Sequence, residues 1–138
     1  MDATLFADGG SRGNPGPAAS GAVLFDPAGE PIEEIGAYLG VATNNVAEWT
    51  ALLLGLQAAV KLGIRSLRVR LDSELVVKQL RGEYRVKHPD LQPLHRRASQ
   101  LLRAFEEVDV AHVPRKQNAW ADRLVNQVLD QEAPETAK

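Results

Sequence analysis

One segment narrows the possible folds more than any other. It begins at Thr43-Asn44-Asn45, residue types that cap helices well, and runs to Leu62 through a stretch rich in Ala and Leu. Ala47, Ala51, Leu54, Ala58 and Leu62 recur at helical spacing, and so do Leu52, Leu56 and Ala59. A helix apolar on so much of its circumference is a buried one. Gly63 stands where a C′ glycine would end it. The chain on either side of this helix reads as strands that could bury it.

Before the helix, Thr4 to Ala7 read as a first strand ending at Asp8, and Ser20 to Phe25 as a second. Asp26-Pro27-Ala28-Gly29 is turn chemistry, and Pro31 to Leu39 complete a hairpin. After the helix, Leu67, Val69 and Leu71 alternate with Arg68 and Arg70, a strand of period two that ends at Asp72. Ser73 to Leu80 form a short helix that closes near Gly82. A connector from Gly82 to His88 leads to a longer helix opening at Pro89-Asp90. Its apolar face is Leu91, Leu94, Ala98, Leu101, Leu102 and Phe105. Val108 to Val113 read as the last strand, Pro114 to Gln117 as a basic loop, and Asn118 as the cap of a final helix. That helix has the stripe Ala121, Leu124, Val125, Val128 and Leu129. The order is β-β-β-α-β-α-α-β-α. Short links make the first three strands an antiparallel meander, and a right-handed helical crossover makes the fourth parallel to it. The fold class expected is α/β, a mixed sheet flanked by helices.

Composition removes several classes of function. The 138 residues suit one domain with a sizeable core. We expect the domain to occupy residues 1–130, with 131–138 as a mobile tail of Glu, Ala, Pro and Thr. There is no cysteine, which excludes disulfides and thiolate metal sites and leaves oxygen and imidazole ligands. No apolar run approaches a membrane span, and the first residues do not read as a signal peptide, so a cytoplasmic protein is expected. The net charge of −2 does not advertise nucleic-acid binding. Basic residues do recur at Arg81, Arg85, Lys87 and His88 and again at Arg115 and Lys116, although scattered basic residues are ordinarily solvated.

The most informative short stretch is Asp8-Gly9-Gly10-Ser11-Arg12-Gly13-Asn14-Pro15-Gly16. Glycines let a backbone approach an oxygen-rich ligand closely. The adjacent carboxylate would repel a bare phosphate, so the combination makes sense when a divalent cation lies between them. The same residues also make ordinary turns. Three further acids stand in comparable places. Glu48 lies in the first turn of the buried helix, Asp72 lies between a strand and a helix, and Asp122 is in the first turn of the last helix. Each has a local alternative: Glu48 and Asp122 complement a helix dipole, and Asp72 can serve as a helix cap.

Taken together, the motifs are specific. Asp8-Gly9-Gly10-Ser11 with Asn14, Thr43-Asn44-Asn45 with Glu48, Asp72-Ser73, and Asn118 with Asp122 occur in an order and spacing that resembles type 1 ribonuclease H, over about Leu5 to Leu129. The resemblance implies the ribonuclease H-like fold, a five-stranded mixed sheet with helices. It implies hydrolysis of the RNA strand of an RNA–DNA hybrid, leaving 5′-phosphate and 3′-hydroxyl ends. Asp8, Glu48, Asp72 and Asp122 match the family's metal-binding carboxylates, for two Mg²⁺ ions with Mn²⁺ as a possible substitute. Two such ions roughly 3.5–4 Å apart can bind both the attacking and the leaving oxygen. The implied role of Asp8 is to bridge both ions, and that of Glu48 is also to accept from an RNA 2′-hydroxyl.

Gly9, Gly10, Ser11 and Asn14 match the family's RNA contacts, and Thr43, Asn44 and Asn45 its contacts to the DNA strand. Lys87, Arg115 and Lys116 are candidates for backbone phosphates. The expected partner is an RNA–DNA hybrid, bound by a monomer away from membranes. Two departures stand out. The link from Arg81 to Pro89 is too short for the basic, Trp-containing protrusion of some members. The loop Pro114 to Asn118 also lacks the histidine found there in many, while His112, on the preceding strand, reads as packed or surface. The alternatives are a non-catalytic hybrid-binding module and a nuclease of the same fold acting on another nucleic acid. An actin-like phosphotransferase needs two such domains, and the length supplies one.

Overall fold

The computed structural model describes residues 1–133. Five strands form one sheet: β1 (Asp2–Ser11), β2 (Gly16–Phe25), β3 (Pro31–Ala42), β4 (Ser66–Leu71) and β5 (Glu107–His112). Their order across the sheet is β3-β2-β1-β4-β5. β1 pairs antiparallel with β2, and β2 antiparallel with β3. β4 lies parallel to both β1 and β5. The helices are α1 (Asn44–Lys61), α2 (Glu74–Leu80), α3 (Gln92–Leu102) and α4 (Ala119–Glu132), with a 3₁₀ turn at Arg115–Asn118. The expected mixed sheet, with its meander and parallel strands, is the one observed. No helix among the described residues is long and apolar enough to cross a membrane.

The sheet has a helix layer on each face. The larger core lies between the sheet and α1, where Leu5, Leu24, Trp49, Leu52, Leu56, Leu67 and Val69 are nearly or wholly inaccessible to solvent. A smaller cluster of Ala19, Val125 and Leu129 seats α4 on the opposite face. Burial over most of its circumference, with Gln57, Val60 and Lys61 left exposed, explains why α1 is so apolar.

Several boundaries differ from expectation, for reasons local pattern does not carry. β1 does not end at Asp8; it continues to Ser11, pairing Asp8 with Gly21, Gly9 with Ser20, Gly10 with Ala19 and Ser11 with Ala18. Gly9 and Gly10, which read as turn residues, are therefore strand, while Gly13 stays in the loop that follows. Gly9 is glycine because α1 lies directly on it: a Cβ there would stand 2.2 Å from the Ala47 carbonyl carbon. Gly21, on the neighbouring strand, does the same for α4, since its Cβ would meet the Ala121 carbonyl oxygen at 2.6 Å. These two gaps bring both helix starts down onto the strands beside Asp8.

The helix expected to open at Pro89 starts instead at Gln92, with Pro93 in its first turn and Leu91 as cap. Asn118 does not cap α4 with its side chain. α4 continues to Glu132, past the boundary expected at residue 130, and residues 134–138 of the expected tail lie outside the described residues.

Candidate active site

The four acids arrive from four elements. Asp8 lies in β1, three residues before its end. Glu48 is the fifth residue of α1, beyond the first turn in which it was expected, so the helix start is less able to account for it. Asp72 follows β4 directly. Its alternative role as a helix cap is taken by Ser73, whose hydroxyl accepts from the Val76 amide at 3.3 Å. Asp122 is in the first turn of α4, as expected.

Asp8, Glu48 and Asp72 each offer a carboxylate oxygen, and these oxygens lie within 4.8 Å of one another. Asp122 stands beside the trio, close enough to Asp8 to share a side-chain hydrogen bond with it. Its own carboxylate also accepts from Asn126 Nδ2 at 3.4 Å. None of the four forms an ion pair with a basic side chain among the described residues.

Electrostatics reflect that crowding. Burial pushes the Asp8 carboxyl up to about 8, and the Asp72, Asp122 and Glu48 charges push in the same direction. Burial and Asp72 raise Glu48 to about 7, partly opposed by the Arg115 guanidinium. Half-buried carboxylates gathered without a counter-charge are costly when ionised. A divalent cation removes that cost, and Mg²⁺ and Mn²⁺ favour this all-oxygen donor set. The residues present therefore fit a divalent-cation site.

One structural residue at the site was misread in sequence. Asn118 is fully buried, and its Nδ2 donates to the Ala7 carbonyl at 2.9 Å, fixing the strand one residue before Asp8. Its Oδ1 has no protein partner. Asn at a helix start reads as a cap, and only the tertiary fold shows that it faces inward. Ser20 was not flagged at all; its buried hydroxyl donates to the Ala47 carbonyl at 2.7 Å and ties β2 to α1 beside Gly9.

The expected substrate contacts form a rim near the acids. Asn44 Oδ1 accepts from the Ser11 amide at 2.8 Å and the Ser11 hydroxyl at 3.0 Å, while Asn14 Oδ1 accepts from the Asn44 amide at 3.1 Å. Both carboxamide oxygens are thus engaged, which leaves their NH₂ groups as outward donors. Thr43 caps α1, accepting from the Val46 amide at 3.2 Å. Asn45 is exposed one residue further on, and Gly9 and Gly10 sit in the paired end of β1. Lys87 is exposed on the connector. Arg115 and Lys116 are exposed in the 3₁₀ turn, with Arg115 near enough to act on Glu48. His112 is exposed at the end of β5, a surface position.

Comparison with known proteins gives a consistent result. The family described as reverse transcriptase-like matches residues 6–128. A bifunctional protein of Mycobacterium tuberculosis, Rv2228c, is 46% identical over 138 residues, covering 99% of this chain and 38% of that protein. The chain thus spans well under half the length of that relative. Among solved structures, ribonuclease H1 of Halobacterium salinarum superposes with a TM-score of 0.91 at 44% identity, covering 95% of this chain and 99% of that one. LC11 ribonuclease H1, crystallised with an RNA/DNA hybrid, gives 0.88 at 39% identity, covering 94% and 97%. With its acids gathered on this sheet and these relatives matched across nearly its whole length, the chain belongs to the reverse transcriptase-like family and, within it, to the ribonuclease H group.

Proposed function

We propose that this chain is a divalent-cation-dependent endonuclease that hydrolyses the RNA strand of RNA–DNA hybrids, leaving 5′-phosphate and 3′-hydroxyl ends. The observation that carries this reading is the convergence of Asp8, Glu48 and Asp72 within 4.8 Å, with Asp122 beside them. The relatives support it: a chain 39% identical has been crystallised with such a hybrid.

Asp8, Glu48, Asp72 and Asp122 are the groups that would hold the cations. The chemistry that two Mg²⁺ ions, or Mn²⁺ in their place, supply at such a site is activation of a water and stabilisation of the departing 3′ oxygen. Asp8 is the central ligand in this reading, because its carboxyl feels all three other acids. Glu48 has a second task. As a carboxylate it only accepts hydrogen bonds, so it can take one from a 2′-hydroxyl, a group DNA lacks.

Around the acids, Gly9, Gly10, Ser11 and Asn14 hold the RNA strand, and Thr43, Asn44 and Asn45 hold the DNA strand. The outward NH₂ groups of Asn14 and Asn44 suit the acceptor-rich surface of a nucleic acid. Lys87 and Arg115 contribute charge to backbone phosphates. All four acids come from a single chain, which supports a monomer, and we place its action in the cytoplasm.

The test is cleavage of an end-labelled RNA in a hybrid by wild type and Asp72→Asn. The substitution removes one anionic ligand at unchanged size. It should lower cleavage by more than about 100-fold, since even outer-sphere changes at metal sites cost 10–100-fold. Chelator should abolish wild-type cleavage. Near-wild-type turnover by Asp72→Asn would overturn the assignment of that residue.

A further inference from the structure

One cavity, of about 480 Å³, has no role so far. Its lining includes Asp2, Thr4 and Phe6 of β1, Phe25 at the end of β2, the turn residue Asp26, and Arg68 of β4. None of the four acids lines it. The alternation of β1 sets its place. Leu5 and Ala7 face the larger core, so Thr4 and Phe6 face the side on which α4 sits. Thr4 pairs with Phe25 on one side and with Arg68 on the other, which puts the three side chains in one row across the sheet. The volume falls within the range of small-molecule sites, roughly 300–1,000 Å³.

The lining offers flat surfaces and acceptors. Phe6 meets Phe25 edge to face at 5.7 Å, and Phe25 meets Trp120 in the same way at 5.1 Å. Arg68 is exposed and forms no ion pair among the described residues. A guanidinium is planar and stacks on aromatic rings. Phe25 and Arg68 flank Thr4 two strand spacings apart, about 9.5 Å, and so leave room for one flat ring between them. Asp2 and Asp26 add carboxylates, neither of them ion-paired among the described residues. Asp26 Oδ1 is already taken, accepting from the Ala28 and Glu30 amides at 2.9 Å each. Asp2 is exposed. A carboxylate accepts best from a fork of two parallel N–H groups. Among the nucleobases, guanine carries such a fork, in its ring N–H and the adjacent amino group. Adenine and cytosine offer an amino group alone. A phosphate would gain Arg68 but would meet two carboxylates, so the base and not the phosphate fits the lining.

We propose that this cavity is a guanine-binding site, in which the base lies over Thr4 between Phe25 and Arg68 and the Asp2 carboxylate accepts its N–H fork. The base belongs to a free nucleoside or to the end of a single strand; the recognition chemistry is the same. The site is separate from the four acids, so the inference does not need the nuclease reading.

The test is titration calorimetry with guanosine, adenosine, inorganic phosphate and a single-stranded trinucleotide ending in guanine, all in chelator so that no cation at the acids takes part. Guanosine should bind with a Kd of about 1 mM or tighter. Adenosine should bind at least about tenfold more weakly, as loss of a hydrogen bond to a charged group requires. Asp2→Asn replaces one acceptor oxygen by a donor at unchanged size. It should weaken guanosine by about tenfold or more and bring it level with adenosine. Arg68→Ala should weaken both nucleosides.

NMR locates the ligand. The chain has two tryptophans, Trp49 buried in the larger core and Trp120 against Phe25. Guanosine should shift the Trp120 indole N–H signal and leave that of Trp49 in place. A trinucleotide that binds tighter than guanosine would identify a strand end as the source, and equal binding a free nucleoside; either supports the site. Binding of neither, equal affinity for adenosine, phosphate bound as well as guanosine, or guanosine affinity unchanged in Asp2→Asn would overturn the proposal. Each of these outcomes leaves the nuclease reading intact.

Discussion

Asp8 is held where its ionised form is least welcome. Burial and three neighbouring acids raise its pKa from 3.8 to about 8. Between those values the folded chain binds more protons than the unfolded one, so stability falls as pH rises through this window. Glu48, raised to about 7, acts in the same direction. In chelator, the protein should therefore melt lower at pH 8.5 than at pH 5.5. Asp8→Asn should raise the pH 8.5 melting temperature by about 3–5 °C, a shift that corresponds to roughly 1 kcal/mol in a domain of this size. The gain should vanish near pH 5, where Asp8 is already protonated. A melting temperature lowered by Asp8→Asn at pH 8.5 would contradict this account.

Asn118 gives the opposite case. Removing its side chain leaves the buried Ala7 carbonyl unpaired, so Asn118→Ala should cost about 1–3 kcal/mol in urea unfolding. A change under about 0.5 kcal/mol would show that water replaces the bond. Single residues were legible in sequence by chemistry but not by direction. The four acids could be picked out; that Ser73 takes the cap and frees Asp72, and that Asn118 turns inward, are consequences of tertiary packing.

Among elements, α1 was the most legible, because its apolar residues repeat around much of the circumference and burial is the environment that suits them. The alternation of β4 and the stripe of α4 were legible for the same reason. The end of β1 was not. Gly9-Gly10 reads as a breaker from sequence alone, yet the pair lies in a strand because α1 occupies the space where a Cβ would be. The strand's continuation depends on a contact with Ala47, far along the chain. Gly9→Ala should thus force α1 away from β1, costing about 1–3 kcal/mol as overpacking does. Because Glu48 follows Ala47, the displacement should also reduce cleavage. Measured stability and cleavage at wild-type levels would show that α1 yields without moving Glu48.

At the scale of the molecule, a short antiparallel meander and two parallel strands create one point where β1, the end of β4 and the starts of two helices meet. Four acids placed far apart in sequence are thereby gathered at one edge of the fold. The overall charge of −2 gave no sign of a nucleic-acid partner, because charge summed over a chain does not report a local rim of amide and hydroxyl donors. The central claim is that this edge cuts RNA paired to DNA. It is tested most directly with one end-labelled RNA presented as RNA–DNA hybrid, as double-stranded RNA and as single strand, each with Mg²⁺ and with chelator. Cleavage of the hybrid alone, lost in chelator, is the predicted result. Cleavage of all three forms, or of none with either Mg²⁺ or Mn²⁺, would contradict it.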